Sequence, residues 1–403
     1  MIYRSRIVVT MDGPPISNGA IAVSDGTVQA VGDFDHVQKL YSGRVVDLGE
    51  QALLPGLINA HCHLDYTMMR NAIHPQKSFT QWIARINALK RSLDVDDYVR
   101  AIEQGFAELK KWGTTTVLNI EAFPEVLPKL PAPPIRTWWF YELIDVRQRV
   151  ATDDLVAGAF MFFKNRPDWL GGFGLSPHSP YTASAELFGL ANACARITGM
   201  PLTTHVAESA AEDEMFRHGS GELHDFMQKL GRSMDDCGQR SSLARLWEEK
   251  LVDEDWILAH VNEIDDADFA LIVDHLHHIV HCPRSHRYFA HRPFQFRRLH
   301  EAGANLSLGT DSVASNDSLS LFAEMQALQE RETWLRSEDL LRTVTTNPAR
   351  ALKRSGELGQ ISPGAHADLI CVPFGGDAAR VYEATVNHTR PIEWLMVDGN
   401  VAG

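Results

Sequence analysis

The stretch LLPGLINAHCHLDYT, Leu53 to Thr67, runs an apolar, strand-like segment straight into two histidines one residue apart. Side chains alternate faces along a strand, so His61 and His63 point one way and Cys62 the other. Two imidazoles then converge on one point. Alone, the pair reads as ordinary strand-end histidines rather than ligands, so the rest of the chain has to decide.

Outward from this stretch, short β-branched runs alternate with helix-like segments between about Leu53 and Arg354. The strand candidates are LLPGLINAHCH, TTTVLNI, IRTWWFYELI, GGFGLSPH, PLTTHVAE, DWILAHV, HIVHCPRSH and NLSLGTDS. Between them lie helical patterns such as FTQWIARINALKRSL and ASAELFGLANACARITG. Eight strands, each leading into a helix, predict an α/β fold built as a (β/α)8 TIM-like barrel. Both chain ends instead carry short β-rich runs with glycine turns, among them RIVVTMDG and HADLICVPF. They predict a small β-sandwich domain formed by both chain ends. The expected division is 1–52 and 355–403 for the small domain and 53–354 for the barrel.

Composition narrows the partners. With 44% hydrophobic and 22% charged residues the chain reads as soluble and globular. A formal net charge of −14 disfavours nucleic acid or an anionic membrane as partner. The five cysteines are scattered, with no C-x-x-C pair, and the N-terminal apolar run is too short for a signal peptide, so a cytoplasmic location is expected. A homodimer is allowed, dimers being common among such barrels, though no sequence feature carries one.

In such barrels the working residues sit at the C-terminal strand ends, all on one face. Strand one ends in His61 and His63, strand four in His178, strand five in His205 and Glu208, and strand six in His260. Strand seven carries His281 and His286, and strand eight ends in Asp311. Neutral imidazoles and a carboxylate converging there suit one borderline divalent cation, Zn2+ or Fe2+, with a place left for water. Water on such a cation loses a proton near neutral pH and becomes a nucleophile. Glu208, three residues past His205, has the type and location of a proton shuttle. By contrast His275, His277 and His278, in DHLHH, read as surface residues at a helix end. Cys62 and Cys282 read as small buried fillers.

Taken together, PGLINAHCH, SPHSPYT, THVAES, HCPRSH, LGTDS and NPARAL resemble the amidohydrolase superfamily, in the branch holding nucleoside, guanine and cytosine deaminases and chlorohydrolases. The resemblance implies that His61, His63, His205 and Asp311 hold the metal and that His260 orients the attacking water or the substrate. It further implies that Glu208 shuttles protons, that Asp311 accepts one as the water ionises, and that His178 contacts substrate. GGFGLSPH has no lysine to bridge a second ion, so a single metal is expected. HLDYT followed by SFTQWI, with HCPRSHRYFAHRPFQFRRL and LGTDSVASNDSLSL, is similar to aminodeoxyfutalosine deaminase-like members. Ring-facing candidates on the same rim are Trp82, Glu142, Arg284 and His286. The implied activity is hydrolytic deamination of an amino-substituted heterocycle, an adenine-type nucleoside or derivative, as a small-molecule substrate. The alternative is an amidase or chlorohydrolase acting with the same metal site.

Overall fold

The computed structural model describes residues 1–146, 151–165, 168–275 and 277–402. Eight strands follow the expected order, numbered here β1 (Leu57–Cys62), β2 (Thr114–Glu121), β3 (Arg136–Leu143) and β4 (Gly171–Pro177), then β5 (Thr203–Val206), β6 (Ile257–His260), β7 (His278–His281) and β8 (Asn305–Leu308). They form two four-stranded sheets, β4-β3-β2-β1 and β5-β6-β7-β8, in which every pairing is parallel. Isolated parallel bridges join the sheets at both edges, Cys62 to Asp311 and Leu175 to Leu202. At the first of these, the amides of Thr310 and Asp311 both donate to the His61 carbonyl, at 3.1 and 3.0 Å.

The sequence explains these elements locally. TTTVLNIE in β2 is buried at every position, as befits a strand covered on both faces. Ahead of it run helix α1 (Phe79–Lys90), capped by the Ser78 hydroxyl, and helix α2 (Val95–Lys111). Helix α2 opens with a reciprocal capping box between Asp94 and Asp97 and buries Tyr98, Ile102, Phe106 and Leu109 along one stripe. Further on come α3 (Glu222–Lys229) and α4 (Pro283–Phe289). Among the described residues no helix is long and apolar enough to cross a membrane.

Both chain ends contribute to the remaining sheets. One, of four strands, is made of Thr27–Asp33, Gly19–Ser24, Ile2–Arg4 and Val45–Asp47; the other, of six, pairs Leu369–Pro373 with Gln51–Pro55 antiparallel. Leu53 and Leu54 thus belong to the six-stranded sheet, and the parallel strand begins only at Leu57, past Pro55 and Gly56. Two histidines sit elsewhere than their spacing suggested. His286 lies in α4, past the end of β7. His277 is 1% exposed and packs edge-on against Trp247 at 4.5 Å, so the surface reading of DHLHH fails for it.

An ion pair clamps the chain-end sheet to the parallel one. Arg136, at the start of β3, donates through Nε to Asp368 at 2.7 Å and through a terminal nitrogen to Asp398 at 3.0 Å. Arg136 and Asp368 are both buried, so removing one partner strands the other's charge. Arg136→Met is expected to cost about 3–5 kcal/mol of stability, much of it recovered by the double variant Arg136→Met/Asp368→Leu. Denaturant unfolding of the two variants beside the wild type checks this, and equal loss in the double variant would refute the clamp.

Candidate metal centre and active-site cavity

The ends of β1, β5, β6 and β8 bring their polar residues together as the strand topology requires. His63 Nε2 faces His205 Nε2 at 3.3 Å. Asp311 Oδ1 lies 3.9 Å from His61 Nε2 and 3.8 Å from His63 Nε2. Ligand atoms of His61, His63 and Asp311 fall within 4.8 Å of one another, and so do those of His61, His205 and His260. All five residues are buried.

Several contacts hold these side chains in place. The His205 Nδ1–H donates to the His178 carbonyl at 2.7 Å, which leaves the Nε2 lone pair directed at His63. Asp311 Oδ2 accepts from the hydroxyls of Ser285 at 2.7 Å and Ser315 at 3.2 Å, and Oδ1 from the Ser312 amide at 2.7 Å. Gly309 packs so closely on His61 that a Cβ there would lie 2.7 Å from the histidine's own Cβ. The backbone is strained at the same strand ends, with positive φ at Ala207 (50°), His260 (74°), Val261 (52°) and Asp311 (55°). For a β-branched residue such as Val261 that region is costly, and such strain collects where function over-determines geometry.

The donor set fits a divalent cation. Nε2 of His61, the nitrogen turned toward Asp311, is buried without a hydrogen-bond partner. His63 Nε2 and His205 Nε2, 3.3 Å apart, are close enough to ligate one ion together. Burial, together with the neighbouring imidazoles, holds His61, His63, His178 and His260 well below the usual histidine range, so they are neutral and able to ligate. Glu208 stands beside this cluster, its Oε1 3.8 Å from His260 Nε2. Burial first, then the charge of Asp311, pushes its carboxyl well up, so it keeps a proton. The Glu212 carboxylate fixes the turn carrying it by accepting from the amides of Ala207 (2.8 Å) and Glu208 (2.9 Å).

Around the cluster opens a cavity of about 310 Å³. Its inner end is lined by His63, His178, His205, Glu208, His260 and Asp311, its outer wall by Phe79, Trp82 and Ile86 of α1 and by Phe226 and Met227 of α3. His178 is held by Nδ1 against the Thr182 hydroxyl at 2.6 Å, and its Nε2 looks toward Glu142 Oε1 at 4.0 Å. Trp82, Glu142 and His178 therefore share this cavity. Arg284 and His286 do not line it. Arg284 turns to Asp317 at 2.6 Å, and His286 Nε2 meets the Arg292 carbonyl at 2.8 Å, both because α4 rotates them away from the strand ends. Sequence reasoning misses Ser285, Ser315, Glu212, Tyr66 and Lys90. Only the proximity of the two serines to HCPRSH and GTDS in the chain hints at theirs.

Comparison with known proteins gives one picture. The family model described as Amidohydrolase family matches residues 52–402. A 5-methylthioadenosine/S-adenosylhomocysteine deaminase of Syntrophobacter fumaroxidans is 29% identical over 93% of this chain and 84% of its own. In structure, an adenosine deaminase from Xanthomonas campestris with bound zinc superposes with a TM-score of 0.84 at 24% identity, covering 99% of this chain and 92% of that one. The Helicobacter pylori aminofutalosine deaminase superposes with a TM-score of 0.85 at 20% identity, covering 100% and 99%. The last two likenesses speak to the fold, a TIM-like barrel.

Proposed function

This chain belongs to the amidohydrolase family, and from that premise we propose that it is a metal-dependent aminohydrolase which removes the amino group of an adenine-type nucleoside or derivative as ammonia. The observation that supports the reading is a pair of buried triads sharing His61, one with His63 and Asp311 and one with His205 and His260, with Glu208 beside His260 and in neither triad. The deaminase name of a relative aligned over nearly the whole chain supports the substrate class.

His61, His63, His205 and Asp311 would hold a single divalent cation, Zn2+ or Fe2+. When bound, such an ion supplies Lewis acidity that makes water acidic enough to act as a nucleophile near neutral pH. The chain's own residues do the rest. His260 and Asp311 orient the attacking water, and Asp311 takes up its proton. Glu208 delivers the proton it holds on its carboxyl to the ring nitrogen next to the attacked carbon. Water's second proton then passes by Glu208 to the departing amine, ammonia leaves, the carbon keeps the oxygen, and the proton taken up by Asp311 returns to Glu208. His178 and Glu142 face the ring, and Trp82 packs along it from α1. A single ion agrees with β4, GGFGLSP, which brings no lysine into the cluster.

The same reading closes the two parallel sheets into one eight-stranded barrel through the edge bridges, and it joins the chain-end segments 1–52 and 355–403 into a β-sandwich beside the 53–354 catalytic unit. A cytoplasmic location fits five cysteines that are all free thiols.

The test is product analysis. Metal-loaded protein incubated with adenosine, 5′-methylthioadenosine and aminodeoxyfutalosine is expected to release ammonia and the matching 6-oxo compound in equal amounts from at least one. Release of chloride from a chlorotriazine or of a carboxylate from an amide, with no ammonia from the nucleosides, would assign the alternative chemistry instead.

A further inference from the structure

The turn that follows β4, in SPHSPYT, carries His178 and is held by a side chain that stands apart from the histidine cluster. Backbone bonds fix its two ends. The His205 amide donates to the His178 carbonyl at 2.9 Å, and the amides of Asp145 and Val146 donate to the Thr182 carbonyl at 3.3 and 3.1 Å. The tip between them, Pro180 and Tyr181, rests on Arg232, which lies just beyond α3. The Arg232 guanidinium donates through Nη2 to the Pro180 carbonyl at 3.0 Å and through Nε to the Tyr181 carbonyl at 3.1 Å. Its side chain is only 10% exposed.

The guanidinium is itself fixed. Its two terminal nitrogens meet the two oxygens of Asp236, at 2.7 and 2.8 Å, a fork-to-fork pairing that sets direction as well as charge. Arg245 backs the same arrangement, donating through Nη1 to the Pro180 carbonyl at 3.3 Å and pairing through Nε with Asp236 at 3.0 Å. Burial pushes the Asp236 carboxyl up, but its bonds to Arg232 and the charges of both arginines outweigh burial and hold it below the usual carboxylate range, so it stays ionised.

The residues at and after the tip grip His178 from two sides. The Thr182 hydroxyl meets its Nδ1 at 2.6 Å, and the Tyr181 ring stands edge-on to the imidazole, 5.8 Å away at 90°. Tyr181 and Thr182 line the cavity with His178, and Arg232 stands behind them, outside its lining.

We propose that Arg232, fixed by Asp236, is a positioning residue for His178: by holding the Pro180–Tyr181 tip it sets the angle at which the imidazole meets the heterocycle. The inference rests on the aminohydrolase reading for the ring that His178 meets. Arg232 touches no substrate and acts through the turn.

The test is a double-mutant cycle on metal-loaded protein with the best nucleoside substrate. Arg232→Met is expected to lower kcat/KM by about 10-fold, since displacing an orienting group by a fraction of an ångström is enough to cost that much. On a His178→Ala background the same substitution should cost about 2-fold or less, because the group it positions is gone. A plain loss of folded enzyme or of metal lowers both backgrounds by one factor, so equal losses overturn the proposal, as does an Arg232→Met protein with wild-type kcat/KM. Arg232→Lys keeps a positive charge beside Asp236 but not the fork, so it should fall between wild type and Arg232→Met with the same dependence on His178, and it carries the cycle if Arg232→Met does not fold. If the wild type releases no ammonia from any nucleoside, the aminohydrolase reading fails separately, and a crystal structure of the Arg232→Lys protein decides the positioning. A displaced Pro180–Tyr181 tip with the Thr182–His178 contact broken supports it, and a tip and contact unchanged from the wild type overturn it.

Discussion

Glu208→Gln is expected to lower kcat by about 10²–10⁴-fold, the usual worth of a positioned proton-transfer group, while metal content stays at the wild-type level. The reason is one of separated duties. Among the described residues, Glu208 belongs to no set of side chains that converges closely enough to grip an ion. It is nevertheless 7% exposed, faces the cavity and keeps a proton that burial and Asp311 hold in place. Glutamine keeps its shape, and the Glu212 clasp on the turn contacts only backbone amides, so the turn survives. What disappears is the ability to take and return a proton. Elemental analysis beside steady-state kinetics checks both halves, and retained turnover would remove Glu208 from the mechanism.

Asp311→Ala should lose both things together. Its carboxylate lies within 4 Å of two imidazole nitrogens and is itself held by Ser285, Ser315 and the Ser312 amide. On the proposed mechanism, deleting it takes away a ligand and the group that receives a proton from water. A loss of several kcal/mol in transition-state stabilisation, on the order of 10³-fold or more in kcat/KM, is expected along with reduced occupancy. Ser285→Ala is the graded companion. It keeps the carboxylate but loosens it, and about 10–100-fold in metal affinity is the normal cost of such a loss. Metal titrations of both variants give the ranking; an Asp311→Ala protein that binds and turns over like the wild type would contradict the assignment.

The parts of this site that are legible in the sequence share a cause. His61, His63, His205, His260 and Asp311 stand on or directly after parallel strands, and a strand's direction and alternation fix where such residues point before any loop is known. Arg284 and His286 follow β7 in the same motif but sit on α4, where the helix rotation, set by loop geometry, turns them toward Asp317 and the Arg292 carbonyl. Lys90 is illegible for the same reason. It is the last residue of an amphipathic helix, a place where a lysine ordinarily faces solvent and complements the helix dipole, and only the packing of α1 over Tyr66 draws it inward. His277 escapes sequence reasoning because DHLHH has the look of a helix end, whereas the Trp247 ring covers it. Strand β1 starts a few residues later than the apolar run suggests, since LLPG is as apolar as LINA and its pairing with Leu369–Pro373 depends on the far end of the chain.

The most direct test is a titration of Zn2+ into metal-free protein, with ammonia release from the best nucleoside substrate measured at each addition. The predicted curve starts at zero, rises in proportion to added metal and stops rising at one ion per chain. Full activity before any metal is added, or a rise that continues to two ions, would contradict the single-cation site at the ends of β1, β5 and β8.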